Sequence, residues 1–157
     1  MNEQLPEWIV AMQSFGWESM IQVSLAALLG GLIGLEREWR GRDAGLRTNM
    51  LISMGACLFT VISINGFPLQ GSAAQDTARV AAQVVTGVGF LGAGAFIHTR
   101  SHTKGMTTAA TIWMVAAIGM AVGVQAWGLA IFSSVITVLI LRFLQPISKT
   151  IAKIDSD

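Results

Sequence analysis

Between Gly105 and Leu141 the chain runs for 37 residues without a charged side chain. One straight helix of that length would be about 55 Å long, whereas the hydrocarbon core of a bilayer is about 30 Å thick. The run must therefore fold back on itself. Gly123-Val-Gln-Ala-Trp-Gly128 marks the place, with two glycines, a glutamine and a tryptophan suited to the interface. The reading yields two membrane spans, 106–123 and 126–144.

The rest of the chain has the same character. Of its residues 53% are hydrophobic and 12% charged, about half the usual charged share, and the mean hydropathy is +0.61. Three further spans are expected: 18–35 with Trp17 as interfacial anchor, 48–64 ending at the turn Asn65-Gly66-Phe67-Pro68, and 79–97. The fold class expected is all-α, a polytopic bundle of five transmembrane helices in one domain, 1–145. Residues 1–16 suit a short interfacial piece. The opening MNEQLPEW is acidic and lacks Lys and Arg, so the first span is expected to stay rather than leave with a signal peptide. The single cysteine, Cys57, lies in an apolar run and is read as a packing residue.

Basic residues set the orientation. With the N-terminus outside, Arg37, Arg40, Arg42, Arg47, Arg100, Lys104, Arg142, Lys149 and Lys153 fall on the cytoplasmic side, and Arg79 falls outside. Four spans would strand the last three cations on the wrong side, so five are expected, with the C-terminus inside. Beyond Pro146, Ile147, Ile151 and Ile154 recur at helical spacing with Lys149 and Lys153 between them. The segment 146–157 reads as an amphipathic tail on the inner surface.

The span Arg79–Ile97 carries Gly87, Gly89, Gly92 and Gly94. Small residues let helix backbones approach in lipid, and here they occupy more than one face, so this span is expected to be the hub of the bundle. Gly30 and Gly34 form a small-xxx-small pair in the first span. A nucleotide fingerprint or a potassium filter does not fit, because the apolar run fills a whole crossing.

The candidate site lies at the cytoplasmic end. Glu36, Arg37 and Glu38 close the first span, Arg47, Thr48 and Asn49 open the second, and Lys104, Thr107 and Thr108 open the fourth. Hydroxyls there suit helix capping. Two positive helix ends beside cations suit an anion. The competing reading is a set of structural ion pairs closing the bundle. Outside, Asp76 and Arg79 at i, i+3 suit an N-terminal cap and a local ion pair. No carboxylate falls in the apolar centre of a span, where a cation carrier would be expected to place one. His98 and His102 lie in a short loop and are not read as ligands. No catalytic residue, metal, cofactor or nucleic-acid partner is expected, and the chain is not read as an enzyme.

GLIGLERE (31–38), GLRTNML (45–51), DTARVAAQVVTGVGFLGAGAF (76–96) and KGMTTAATIW (104–113) occur in this order. Together they resemble the MgtC/SapB family, also called the YhiD family, over roughly Leu25 to Leu144. The resemblance implies a five-span bacterial inner-membrane protein tied to growth under magnesium limitation, acid stress and survival inside host cells. It also implies a link to restraint of the membrane ATP synthase. The family's polar residues fall here on Glu36, Arg37, Glu38, Arg47, Thr48, Asn49, Asp76, Arg79, Lys104, Thr107 and Thr108. Longer members carry a soluble C-terminal domain, and the chain is expected to be a short form without it. The function expected is binding or regulation of another membrane component, with membrane lipid, another membrane protein and a second copy of the chain (a homo-oligomer such as a dimer) as partners. The rival is a small homo-oligomeric transporter of magnesium or another solute.

Overall fold

The computed structural model describes residues 15–66, 76, 78–97 and 105–154. Five helices account for nearly all of them: α1 Trp17–Trp39, α2 Leu46–Asn65, α3 Ala78–Ile97, α4 Met106–Gly123 and α5 Trp127–Ile154. All five are long and apolar enough to cross a membrane. Large apolar side chains such as Met20, Leu28, Phe90 and Phe132 are exposed along them. A soluble monomer does not present apolar surface of that extent, and lipid-facing helices do.

Helix boundaries follow local chemistry. α1 closes in a Schellman arrangement, with Arg42 N–H donating to Arg37 O, Gly41 N–H donating to Glu38 O, and Gly41 at φ 60°. α4 closes the same way: Ala126 N–H donates to Ala121 O and Gln125 N–H to Val122 O. Here the left-handed position, φ 61°, falls on Gln125 and not on a glycine. The nearby Gly123 is occupied elsewhere, in packing.

α5 continues through Pro146 to Ile154, so the segment read as a tail from 146 begins as part of the last helix. Pro146 has no N–H and leaves the carbonyl four residues earlier, Arg142 O, without its usual donor. Arg40 Nη2 donates to that oxygen at 3.1 Å. The loop after α1 thus supplies the hydrogen bond that the proline removes.

The hub is α4, and this corrects the expectation placed on α3. α4 packs against all four other helices, whereas α3 leans mainly on α4 and only lightly on α2. A β-carbon at Gly87, Gly89 or Gly94 would meet nothing within 4 Å, and one at Gly92 would meet only Ala109, no nearer than 3.6 Å. The physical reason is spacing. These glycines scatter over several faces, and small residues permit close approach without enforcing it. The pairs at i, i+4 behave differently, because they cut one continuous groove. A β-carbon on Gly30 would lie 2.6 Å from Asn49 O, and one on Gly34 would lie 2.8 Å from Leu46 Cα. One on Gly123 would lie 2.7 Å from Thr60 Cβ, and one on Gly119 would overlap the Ser53 carbonyl. α1 and α4 therefore both press glycine pairs onto α2. Around this junction, Ala26, Ile33, Cys57, Val61, Val115, Ile118 and Val122 form the core. A smaller cluster of Ala56, Val88, Ile112 and Ala116 docks α3.

Overpacking costs about 1–3 kcal/mol, and at Gly30 and Gly119 the obstruction is backbone rather than a flexible tip. Gly119→Ala and Gly30→Leu are expected to lower the thermal midpoint in detergent, read by circular dichroism. Gly94→Ala is expected to leave it unchanged or raised, since alanine favours helix by up to about 1 kcal/mol.

Candidate functional site

The charged residues gather at the end of the bundle where α1 finishes and α2 and α4 begin. The close approach of these helices sorts them into a buried group and an exposed group. Buried are Asn49 at 0% exposure, Arg37 and Thr108 at 5% and Glu36 at 9%. Glu38, Arg47, Thr48 and Thr107 are exposed. Lys104, His98 and His102 lie outside the described residues.

Within the buried group, Arg37 reaches from α1 to α4 and donates from Nη2 to Thr108 Oγ1 at 3.0 Å. Arg40 Nε stands 2.7 Å from Glu36 Oε1 as an ion pair. Arg37 Nε, Glu36 Oε2, Asn49 Oδ1 and Ser53 Oγ are buried without a hydrogen-bond partner among the described residues. Unpartnered buried polar atoms cost about 1–3 kcal/mol each. Those on Glu36, Arg37 and Asn49 gather at the charged end, where bound water or a polar group would satisfy them.

The capping expected of the hydroxyls is carried out by other groups. Neither Gly45 before α2 nor Gly105 before α4 makes a side-chain cap. Instead Glu38 Oε2, arriving from α1, accepts from Leu46 N–H at 2.7 Å and brings negative charge to the positive end of α2. Asn49 Nδ2 donates back to Ala44 O and Gly45 O, holding Ala44 in the left-handed region at φ 56°. Thr108 accepts from Arg37, and Thr107 offers its carbonyl to Thr111 Oγ1.

At the opposite end Asp76 Oδ1 accepts from Ala78 N–H at 3.2 Å, and Asp76 Oδ2 lies 3.8 Å from Arg79 Nε, both side chains being exposed. Among the described residues no three His, Cys, Asp or Glu side chains converge as a metal site would require.

Sequence reasoning missed the polar side chains inside the spans. Gln22 is buried and donates to Gly123 O at 3.3 Å, tying the start of α1 to the end of α4. Ser53, Thr60, Ser63 and Thr111 are buried along α2 and α4. A signal was available, since Gly119 and Gly123 repeat the spacing of Gly30 and Gly34 and so mark which faces meet.

A bundle of five apolar helices, closed at one end by a partly unsatisfied polar cluster, defines a polytopic membrane protein. The chain belongs to the MgtC family, whose profile matches residues 23–150. It is 48% identical over 128 residues to YhiD of Escherichia coli (strain K12), covering 80% of this chain and 60% of that protein. It is 41% identical over 117 residues to MgtC of Salmonella typhimurium (strain LT2), covering 74% and 48% respectively. With slr0014 of Synechocystis it shares 38% identity over 131 residues, covering 83% and 54%. The chain thus spans about half to three-fifths of the length of these relatives. No solved structure matches it.

Glu38 gives this end a direct test. Glu38→Ala removes the carboxylate from α2 and is expected to cost about 1 kcal/mol, while Glu38→Gln, which keeps an acceptor, costs less. The ranking of thermal midpoints checks this, and equal midpoints for all three proteins would show that the contact does not hold α2.

Proposed function

We propose that this chain resides in the bacterial inner membrane, N-terminus outside and C-terminus in the cytoplasm. There it serves adaptation to magnesium limitation or acid stress by binding and regulating another membrane component. The observation that carries the reading is the layered charged end. A buried Glu36–Arg37–Asn49–Thr108 group lies under an exposed Glu38, Arg47, Thr48 and Thr107. The inner layer fixes the geometry, and the outer layer presents the Arg47 cation and the Thr48 and Thr107 hydroxyls near the starts of α2 and α4. Of these, the α2 end is already met by Glu38, and the α4 end makes no side-chain cap. The chemistry suits an anionic group on a partner, either an acidic side chain or a lipid headgroup. A second copy of the chain and the membrane ATP synthase are the protein partners proposed.

Magnesium transport is the second reading. It is favoured by the buried polar side chains along α1, α2 and α4, and by the name of the relative YhiD, which assigns magnesium transport provisionally. The hydrogen bonding favours regulation. Thr60 Oγ1 donates to Ala56 O and Thr111 Oγ1 to Thr107 O, each returning to its own helix. A hydroxyl bonded to its own backbone four residues earlier is a helix substituent, whereas a magnesium ion asks for six oxygens and usually carboxylates among them.

In a strain lacking its own copy, Arg47→Ala is expected to abolish growth support at low magnesium while the protein still accumulates in the membrane. Arg47→Lys should restore growth only in part, because charge remains and the bidentate fork is lost. The purified chain in liposomes is expected to give no more magnesium entry, read by an enclosed fluorescent indicator, than empty liposomes. Entry clearly above that background would favour the transporter.

A further inference from the structure

α2 and α3 splay apart, and the space between them is a groove of about 760 Å³. Its walls are apolar almost throughout, with Gly55 and Phe59 on α2 and Gly87 and Leu91 on α3 among them. The exceptions are Arg79 and Gln83, one turn apart on the α3 wall at the end where that helix begins. Arg79 is 80% exposed, and its neighbour Asp76 is 3.8 Å away and also exposed. An exposed pair at that distance holds the guanidinium weakly.

We propose that this groove binds an anionic glycerophospholipid of the leaflet in which α3 begins. Three observations select this occupant. The groove opens sideways on helices that face lipid, so an acyl chain reaches it without leaving the bilayer. From Arg79 to Leu91 the helix rises about 18 Å, close to the roughly 15 Å depth of one hydrocarbon leaflet. An acyl chain whose headgroup sits at Arg79 therefore ends near Leu91. The polar groups, a cation and a carboxamide, stand at the headgroup level and nowhere deeper. Arg79 receives the phosphate, Gln83 bonds a glycerol ester oxygen, and the chain fills the space beside Gly55 and Gly87. Because the polar end of the groove, at Arg79 and Gln83, is remote from Arg47, the headgroup contact stands apart from the function proposed above.

The test uses the full chain, purified in detergent and exposed to equal amounts of dioleoyl phosphatidylglycerol and dioleoyl phosphatidylcholine. Native mass spectrometry reads the retained lipid. The anionic lipid is expected to be retained about fivefold over the zwitterionic one, the ratio that about 1 kcal/mol per surface cation gives. Arg79→Ala should bring that ratio close to one. Gly87→Leu should lower retention of both lipids, since its side chain projects into open space in the groove. Gly55→Leu does the same from the facing wall and guards against a misfolded first variant. Equal retention of the two lipids by the unaltered chain, or an undiminished ratio in Arg79→Ala, overturns the proposal. So does a dimer that disappears in Gly87→Leu while lipid retention stays, because a second copy would then be the occupant.

Discussion

Ser53 stands where three helices come closest. α1 brings Gly30 against its β-carbon, and α4 brings Gly119 against its carbonyl. In lipid there is no water to expel between helices, so association depends on how closely backbones can approach. The rest of the molecule follows from that contact. It brings α1 near enough to α4 for Gln22 to reach the Gly123 carbonyl at one end and Arg37 to reach Thr108 at the other. It also buries Asn49, one turn from Ser53, where its amide can hold the loop at Ala44 and Gly45.

The five spans were legible because each depends on composition summed over many residues. The long uncharged run had to contain a turn, and the chain turns at Val124–Ala126, inside the expected stretch. The hub was not legible, because a count of glycines says nothing of what faces them. Four glycines in α3 outnumber the pair in α4, yet only the α4 pair shares a face with a partner. The candidate site was legible in place and blurred in detail. Helix periodicity separates neighbours by about a quarter turn, so Arg37 turns inward while Glu38 turns to α2. Which of two adjacent charges is buried depends on where α4 lies. The exposed position of Arg47 likewise depends on the tilt of α2, which sequence does not state.

The two ends of the bundle differ in how firmly they are tied. At the charged end, a Schellman closure, the Glu38 cap, the Asn49 bonds and the Arg40 bridge to α5 all converge on the loop between α1 and α2. Partner recognition, as proposed for this end, benefits from such support, because side chains on rigid elements lose little entropy on binding. The unpartnered atoms of Glu36, Arg37, Asn49 and Ser53 sit behind that surface. Their cost is tolerated where a rigid frame holds them.

α3 lies at the other extreme. Among its described side chains Val88 is the one large apolar group buried in the packed clusters, and its α2 side is open along most of the shared length. Regions with few buried apolar contacts open at lower free energy than the core. The frame of α1, α2, α4 and α5 therefore sets the fold, and α3 is the helix whose position the surrounding bilayer can influence. Its glycines, which look at first like the means of tight packing, act in the opposite sense. Where no facing helix fills the space, the missing side chains leave room, and in a membrane that room belongs to lipid. The same residue type closes one seam of this protein and opens another, and the difference lies entirely in what stands opposite.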